Sequence, residues 1–208
     1  MRYLFCILAL TGLAFAADEP LSDSDKEKTD LYKLGLGAQV GLTISGASTL
    51  PATASSNIVG LKVGALLDSP IMPGFLSLQT EVNFIQKGAQ NAAFGSPAYT
   101  KLSYLQVPLL AKVKFIVPHA RPFFLAGPYV SFLLANHTDA SGTPVVVTFS
   151  ALEVGLALGA GVAFPLSDEL NAMEVFFGAR YEGTVNNIVN SPGDWKSNSF
   201  QLTAGLQF

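Results

Sequence analysis

Eight charged residues stand where chemistry could be concentrated: Lys62, Glu81, Lys112, Lys114, Glu153, Glu174, Arg180 and Glu182. Each falls on the less apolar phase of an alternating segment, together with Gln79, Asn83 and Gln106. Four are basic and four acidic. Buried charges must pair or be strongly penalised, so the balance predicts a structural, ion-paired polar cluster wherever this phase turns inward. A proton path or a gated pore is the other use such a cluster could have. Nucleophilic catalysis needs Ser or Cys beside a base and a carboxylate, and only His119 and His137 could supply the base. His137 is followed by Thr138, Asp139 and Ser141, whereas His119 belongs to a short turn after Pro118. Two histidines and the single Cys6 give a transition metal almost no ligands, and no glycine-rich loop suits a phosphate. Catalytic, cofactor-binding and metal residues are therefore each expected to be none.

Elements that could position these residues follow from composition. Of 208 residues 50% are hydrophobic and only 13% charged, against about 25% charged in ordinary soluble domains. The formal charge of −3 comes with no basic cluster, which excludes nucleic acid as a partner. Met1 to Ala16 combine Arg2, a short apolar core and the ending Ala14-Phe15-Ala16, as a secretory signal peptide does. Residues 17–30 are rich in charge and poor in apolar material and read as a charged periplasmic N-terminal tail. The remainder, 31–208, is the domain to explain.

No apolar run in that remainder approaches the roughly 18–20 residues of a spanning helix. A very apolar exported chain then has one way to satisfy its backbone in lipid, a closed β-barrel. Alternation supports it. Tyr32, Leu34, Leu36, Ala38, Val40, Leu42 and Ile44 form one phase, and Lys33, Gly35, Gly37, Gln39, Gly41 and Thr43 the other. The same period recurs from Leu152 to Phe164 and from Phe200 to Phe208. It predicts strands at 32–45, 57–68, 74–87, 101–117, 120–135, 149–165, 173–184 and 198–208. Long connections (46–56, 88–100, 136–148, 185–197) alternate with short ones (69–73, 118–119, 166–172), the layout of outer loops and periplasmic turns. The fold class is all-β: an eight-stranded antiparallel up-and-down transmembrane β-barrel. A soluble barrel would turn its charged phase to water, and Gly, Ala, Ser and Gln are too weak a phase for that. Pro108 and Pro128 fall within strands and predict a bulge or a lost ladder bond at each. Tyr32, Tyr99, Tyr104, Tyr129, Tyr181 and Trp195 lie near strand ends, where aromatic girdles form.

The segment Leu102-Ser103-Tyr104-Leu105-Gln106-Val107-Pro108-Leu109-Leu110-Ala111-Lys112 resembles the YLEIPLLLK strand of the PorT-like outer-membrane β-barrel family. Arg121-Pro122-Phe123-Phe124-Leu125-Ala126-Gly127-Pro128-Tyr129 resembles its next strand, KPYLFAGP, with Gln106 standing where the family usually has an acidic residue. The last strand, ending in Phe208, is similar to the signal read by outer-membrane assembly machinery. The resemblance implies a Gram-negative outer-membrane location and no particular activity.

The expected protein is a non-enzymatic component of the cell envelope. It is porin-like in layout, but eight strands leave an interior only wide enough for side chains. It contributes to envelope structure or to surface interaction through its outer loops. Its expected partners are outer-membrane lipid and lipopolysaccharide, the assembly machinery acting on the strand that ends at Phe208, and an extracellular ligand that the sequence does not name. A lipid A or phospholipid-modifying enzyme around His137 is the first alternative, and a narrow channel the second.

Overall fold

The computed structural model describes residues 34–50, 55–91, 98–117, 119–140, 143–144, 149–166, 173–188 and 194–208. The signal peptide and tail expected over 1–30 lie outside these residues. Nine strands follow in chain order: β1 (Gly35–Leu50), β2 (Ser55–Met72), β3 (Leu76–Asn91), β4 (Ala98–Lys114), β5 (Arg121–Ala140), β6 (Thr143–Pro144), β7 (Leu152–Pro165), β8 (Glu174–Thr184) and β9 (Asp194–Gln207). Eight of them form a closed antiparallel barrel in which each pairs with its chain neighbour and β1 pairs with β9. The two-residue β6 adds only to the outer end of β5, at Asp139 and Ala140.

Closure satisfies the backbone on every edge, as lipid demands. At the seam Phe208 N donates to Leu36 O at 2.7 Å and Leu36 N to Phe208 O at 2.8 Å. The alternating pattern decides which phase faces out. Val40, Val59, Leu156 and Leu158 are between 59% and 65% exposed, while Gln39, Thr43 and Glu153 on the opposite phase are 3% or less. The apolar phase therefore faces outward, as a bilayer requires and a soluble barrel forbids.

The short-turn end carries the turn over residues 73–75, the Val117–Ala120 bridge, and both ends of the described chain. Gly74 takes φ +75°, which its missing Cβ permits, and His119 takes φ 66°, a left-handed conformation tolerated in a tight turn. Phe75, Phe115 and Phe124 pack edge to face outside this end, with centroids 6.4 and 6.1 Å apart. Phenylalanines thus supply an aromatic band here. Tyr99 and Tyr181 also face outward, whereas Tyr104 and Tyr129 are inside the barrel at 0% and 1% exposure. The girdle expectation fails for those two because both share the inward parity of β4 and β5. Tyr32 and the Trp195 side chain lie outside what the structure describes.

At the other end the strands run past the expected boundaries, to Leu50, Ser55, Asn91, Ala98, Ala140 and Asp194. Hydropathic alternation stops where the bilayer stops, but ladder hydrogen bonding continues in water. Gly46 to Leu50 pair with Asn198 to Asp194 there, so all four of the expected long loops are partly strand. Both prolines interrupt the sheet. The β3–β4 ladder pairs Thr80 with Leu109 and Asn83 with Gln106 and skips the rungs between, at Pro108. The β4–β5 ladder pairs Pro108 with Tyr129 and Ala111 with Ala126 and skips the rungs at Pro128. Register is unchanged across either gap, so each proline removes ladder bonds without a bulge.

Candidate functional site: an ion-paired interior

Parity alone carries the polar side chains inward: Lys62 and Asp68 from β2, Gln79 to Lys87 on odd numbers from β3, Gln106 and Lys112 from β4, Glu153 from β7, and Arg180 and Glu182 from β8. They gather at three levels.

The central level is organised by Glu81. Arg180 grips it with two bonds, Nη1 to Oε2 at 2.9 Å and Nη2 to Oε1 at 2.5 Å. Gln79 donates to Oε1 at 2.6 Å, while Gln39 and Asn83 each donate to Oε2 at 2.8 Å. Lys62 Nζ lies 3.5 Å from the same Oε2. Glu81 is 1% exposed, Lys62 2% and Arg180 3%. A bidentate guanidinium pair with its remaining lone pairs bonded is the geometry in which a buried ion pair is best tolerated.

Nearer the long loops, Lys87 sits between Glu153 at 2.8 Å and Glu182 at 3.1 Å. Its ammonium is 4.7 Å from the Tyr129 ring centroid. Tyr129 donates to Glu153 at 3.0 Å and Gln106 to Glu182 at 2.9 Å. Glu182 also lies 3.9 Å from Arg180 Nη1, which ties this level to the central one. Above them Phe149 and Ile188 turn in from the loop segments and pack with Ile85, Ala89, Leu102 and Tyr104. Ser150 N donates to Ile188 O at 2.8 Å. The Asn186 amide bonds Val154 N and Leu152 O, each at 2.8 Å, and pins the last loop onto β7.

Nearer the short turns, Asp68 receives Lys112 at 3.1 Å, Lys114 at 2.7 Å and Gln207 at 3.1 Å. Arg121 pairs with Glu174. An apolar layer that includes Leu66, Leu110, Phe123, Leu125 and Phe176 separates part of this level from the centre. Phe123 and Phe176 meet edge to face at 6.5 Å.

Of the eight residues singled out by parity, Lys62, Glu81, Lys112, Glu153, Glu174, Arg180 and Glu182 are buried inside. Lys114 reaches the mouth with a side chain 22% exposed. Asp68 and Lys87 were missed, although each shares the inward parity and was the last residue of its expected strand. Arg121 and Tyr129 complete the network. His119 and His137 are both exposed, His137 on the outer stretch of β5. Among the described residues no group of three or more His, Cys, Asp or Glu could hold a metal ion.

A closed antiparallel barrel, apolar outside and ion-paired within, defines a class of protein made to stand in a membrane. The chain belongs to the outer membrane protein beta-barrel domain family, whose model matches residues 21–190. It is similar in fold to the outer membrane protein OprG from Pseudomonas aeruginosa, with a TM-score of 0.57 and 8% identity over 85% of this chain and 97% of that one. It is similar also to Neisserial surface protein A, with a TM-score of 0.52 and 17% identity over 83% of this chain and 95% of that one. The outer membrane enzyme PagL aligns at a TM-score of 0.39, too distant to carry an argument. No curated protein matches this sequence.

Proposed function

We propose that this chain is a non-enzymatic outer-membrane barrel whose filled interior gives rigidity and whose outer loops act in envelope structure or surface interaction. One observation carries the reading. Each charged group of the central and upper levels is paired with another: Glu81 with Lys62 and Arg180, and Lys87 with Glu153 and Glu182. Groups so engaged hold walls together and are poorly placed to act on a substrate. The surfaces left for interaction are the lipid-facing wall and the long-loop end.

Within the family we place the chain in its PorT-like branch, on the Tyr104 to Lys112 and Arg121 to Tyr129 segments. Its signal peptide would direct export, lipid and lipopolysaccharide would cover the apolar wall, and the assembly machinery would take the strand ending at Phe208. Two measurements test the reading. Electrophoresis in dodecyl sulphate should show a faster band for the unboiled outer-membrane fraction than for the boiled one. The mass spectrum of lipid A should be the same with and without the protein. A discrete mass change that vanishes in His137→Ala would replace this reading with the lipid-modifying enzyme.

A further inference from the structure

A cavity of about 10 Å³ lies between the Glu81 level and the Asp68 level. Arg180, Lys112, Gln39 and Thr203 bound its polar side, and Phe123 and Phe176 its apolar side. A water site needs about 10–15 Å³ and two to four polar partners, and this cavity supplies both. Arg180 adds a specific demand. Its two terminal nitrogens are engaged by Glu81, yet its Nε–H, on a side chain 4% exposed, has no acceptor among the described residues. Buried donors in folded proteins are almost always satisfied by protein or ordered water.

We propose that this cavity is a water site and that its water joins the central and lower clusters into one column of polar and charged groups through the barrel. Above it the column runs from Arg180 and Glu81 across the 3.9 Å ion-pair contact to Glu182, and by shorter contacts on to Lys87 and Glu153. Below it the column passes from Lys112 to Asp68 and on to Lys114, which is partly exposed at the short-turn mouth. The column is thus open at that end. At the other end Phe149 and Ile188, 7% and 2% exposed, cover it with apolar groups, and an apolar constriction stops conduction by excluding water. Eight strands leave a lumen only wide enough for side chains, so the species such a column carries is the proton. This goes beyond the structural role proposed above, since it assigns the interior a ligand and a transport property held off by two residues.

Two experiments test it. A crystal structure fine enough to order water should show one bound within hydrogen-bonding distance of Arg180 Nε, and it should be missing in Gly178→Ala. Gly178 lines the cavity, and a Cβ there meets nothing nearer than 3.6 Å, so alanine fills the space without strain. An empty cavity in the unaltered protein overturns the proposal. Proton flux into proteoliposomes carrying a trapped pH dye should match empty vesicles for the unaltered protein and rise at least tenfold for Phe149→Ser/Ile188→Ser, with Gly178→Ala returning it to baseline. A heat-modifiable, and so folded, seal variant with no added flux overturns the column, and a flux untouched by Gly178→Ala overturns the water link.

Discussion

Glu81→Gln is the sharpest test of the ion-paired interior. Glutamine keeps the shape and removes one negative charge from a group of three bases (Lys62, Lys87, Arg180) and three acids (Glu81, Glu153, Glu182), all 3% exposed or less. Arg180 loses its bidentate partner, and Lys62 loses the only carboxylate within 4 Å of it among the described residues. Breaking a buried pair from one side costs about 3–5 kcal/mol, because the surviving charge is left uncompensated. At 1.4 kcal/mol per factor of ten, the folded population should fall roughly 10²- to 4 × 10³-fold relative to the unfolded. Adding Lys62→Met removes the excess positive charge, since Arg180 keeps Glu182 at 3.9 Å. The double variant should therefore be more stable than Glu81→Gln alone, with a coupling of about 1–3 kcal/mol in urea titrations of the barrel in lipid vesicles. If Lys62→Met makes Glu81→Gln worse, or the two losses simply add, charge balance is not what holds the interior together.

Glu153→Ala removes one of the two carboxylates that hold Lys87, and the carboxylate acceptor of Tyr129, and should lower the temperature at which the barrel unfolds in detergent; an unchanged band-shift temperature would contradict its place in the network. Gly161→Ala would drive a Cβ into the Phe123 ring and the Phe177 carbonyl, whereas Gly178→Ala meets only ordinary contacts at 3.6 Å and beyond. The first should cost about 1–3 kcal/mol by overpacking, read in the same urea titration. Leu158→Arg places a charge on the lipid face midway along β7, at a position 65% exposed. It should cost about 2–4 kcal/mol in vesicles; a neutral effect would mean that this face meets water.

Strand existence and facing were readable because the pattern has a period of two, and both faces of the wall respond to it. Thirteen alternating positions from Leu152 to Phe164 suffice to place Glu153 inside and Leu158 outside. Strand ends were not readable at the long loops, because backbone pairing there outlasts the change of solvent that hydropathy reports. Lys87 escaped for that reason, and Asp68 because β2 runs on to Met72 at the short-turn end; each was the last residue of a segment judged by its apolar neighbours. Tyr104 and Tyr129 escaped for another. An aromatic near a strand end suits a girdle, but parity overrides position, and both side chains follow Gln106 and Ser131 inward. Nothing in local sequence could announce that Phe149 and Ile188 close over Lys87, because those contacts join loop segments far apart in the chain.

The interior network also answers a question that lipid poses to any barrel. In water, burying a leucine decides which face of a strand turns in, but beside acyl chains an apolar side chain gains little by facing either way. The sorting must then come from groups that lipid rejects. A one-residue slip of β3 would turn Gln79, Glu81, Asn83 and Lys87 outward together, exposing two charges and two amides to hydrocarbon. Register is thus enforced by the polar phase, the reverse of the rule for soluble barrels. The same logic explains why Pro108 and Pro128 can each remove ladder bonds without shifting the strands beside them. Glu81 on β3 is fastened to Arg180 on β8, Gln106 on β4 to Glu182 on β8, and Lys87 on β3 to Glu153 on β7. Side chains crossing the lumen hold the alignment that the weakened ladders on either side of β4 no longer enforce.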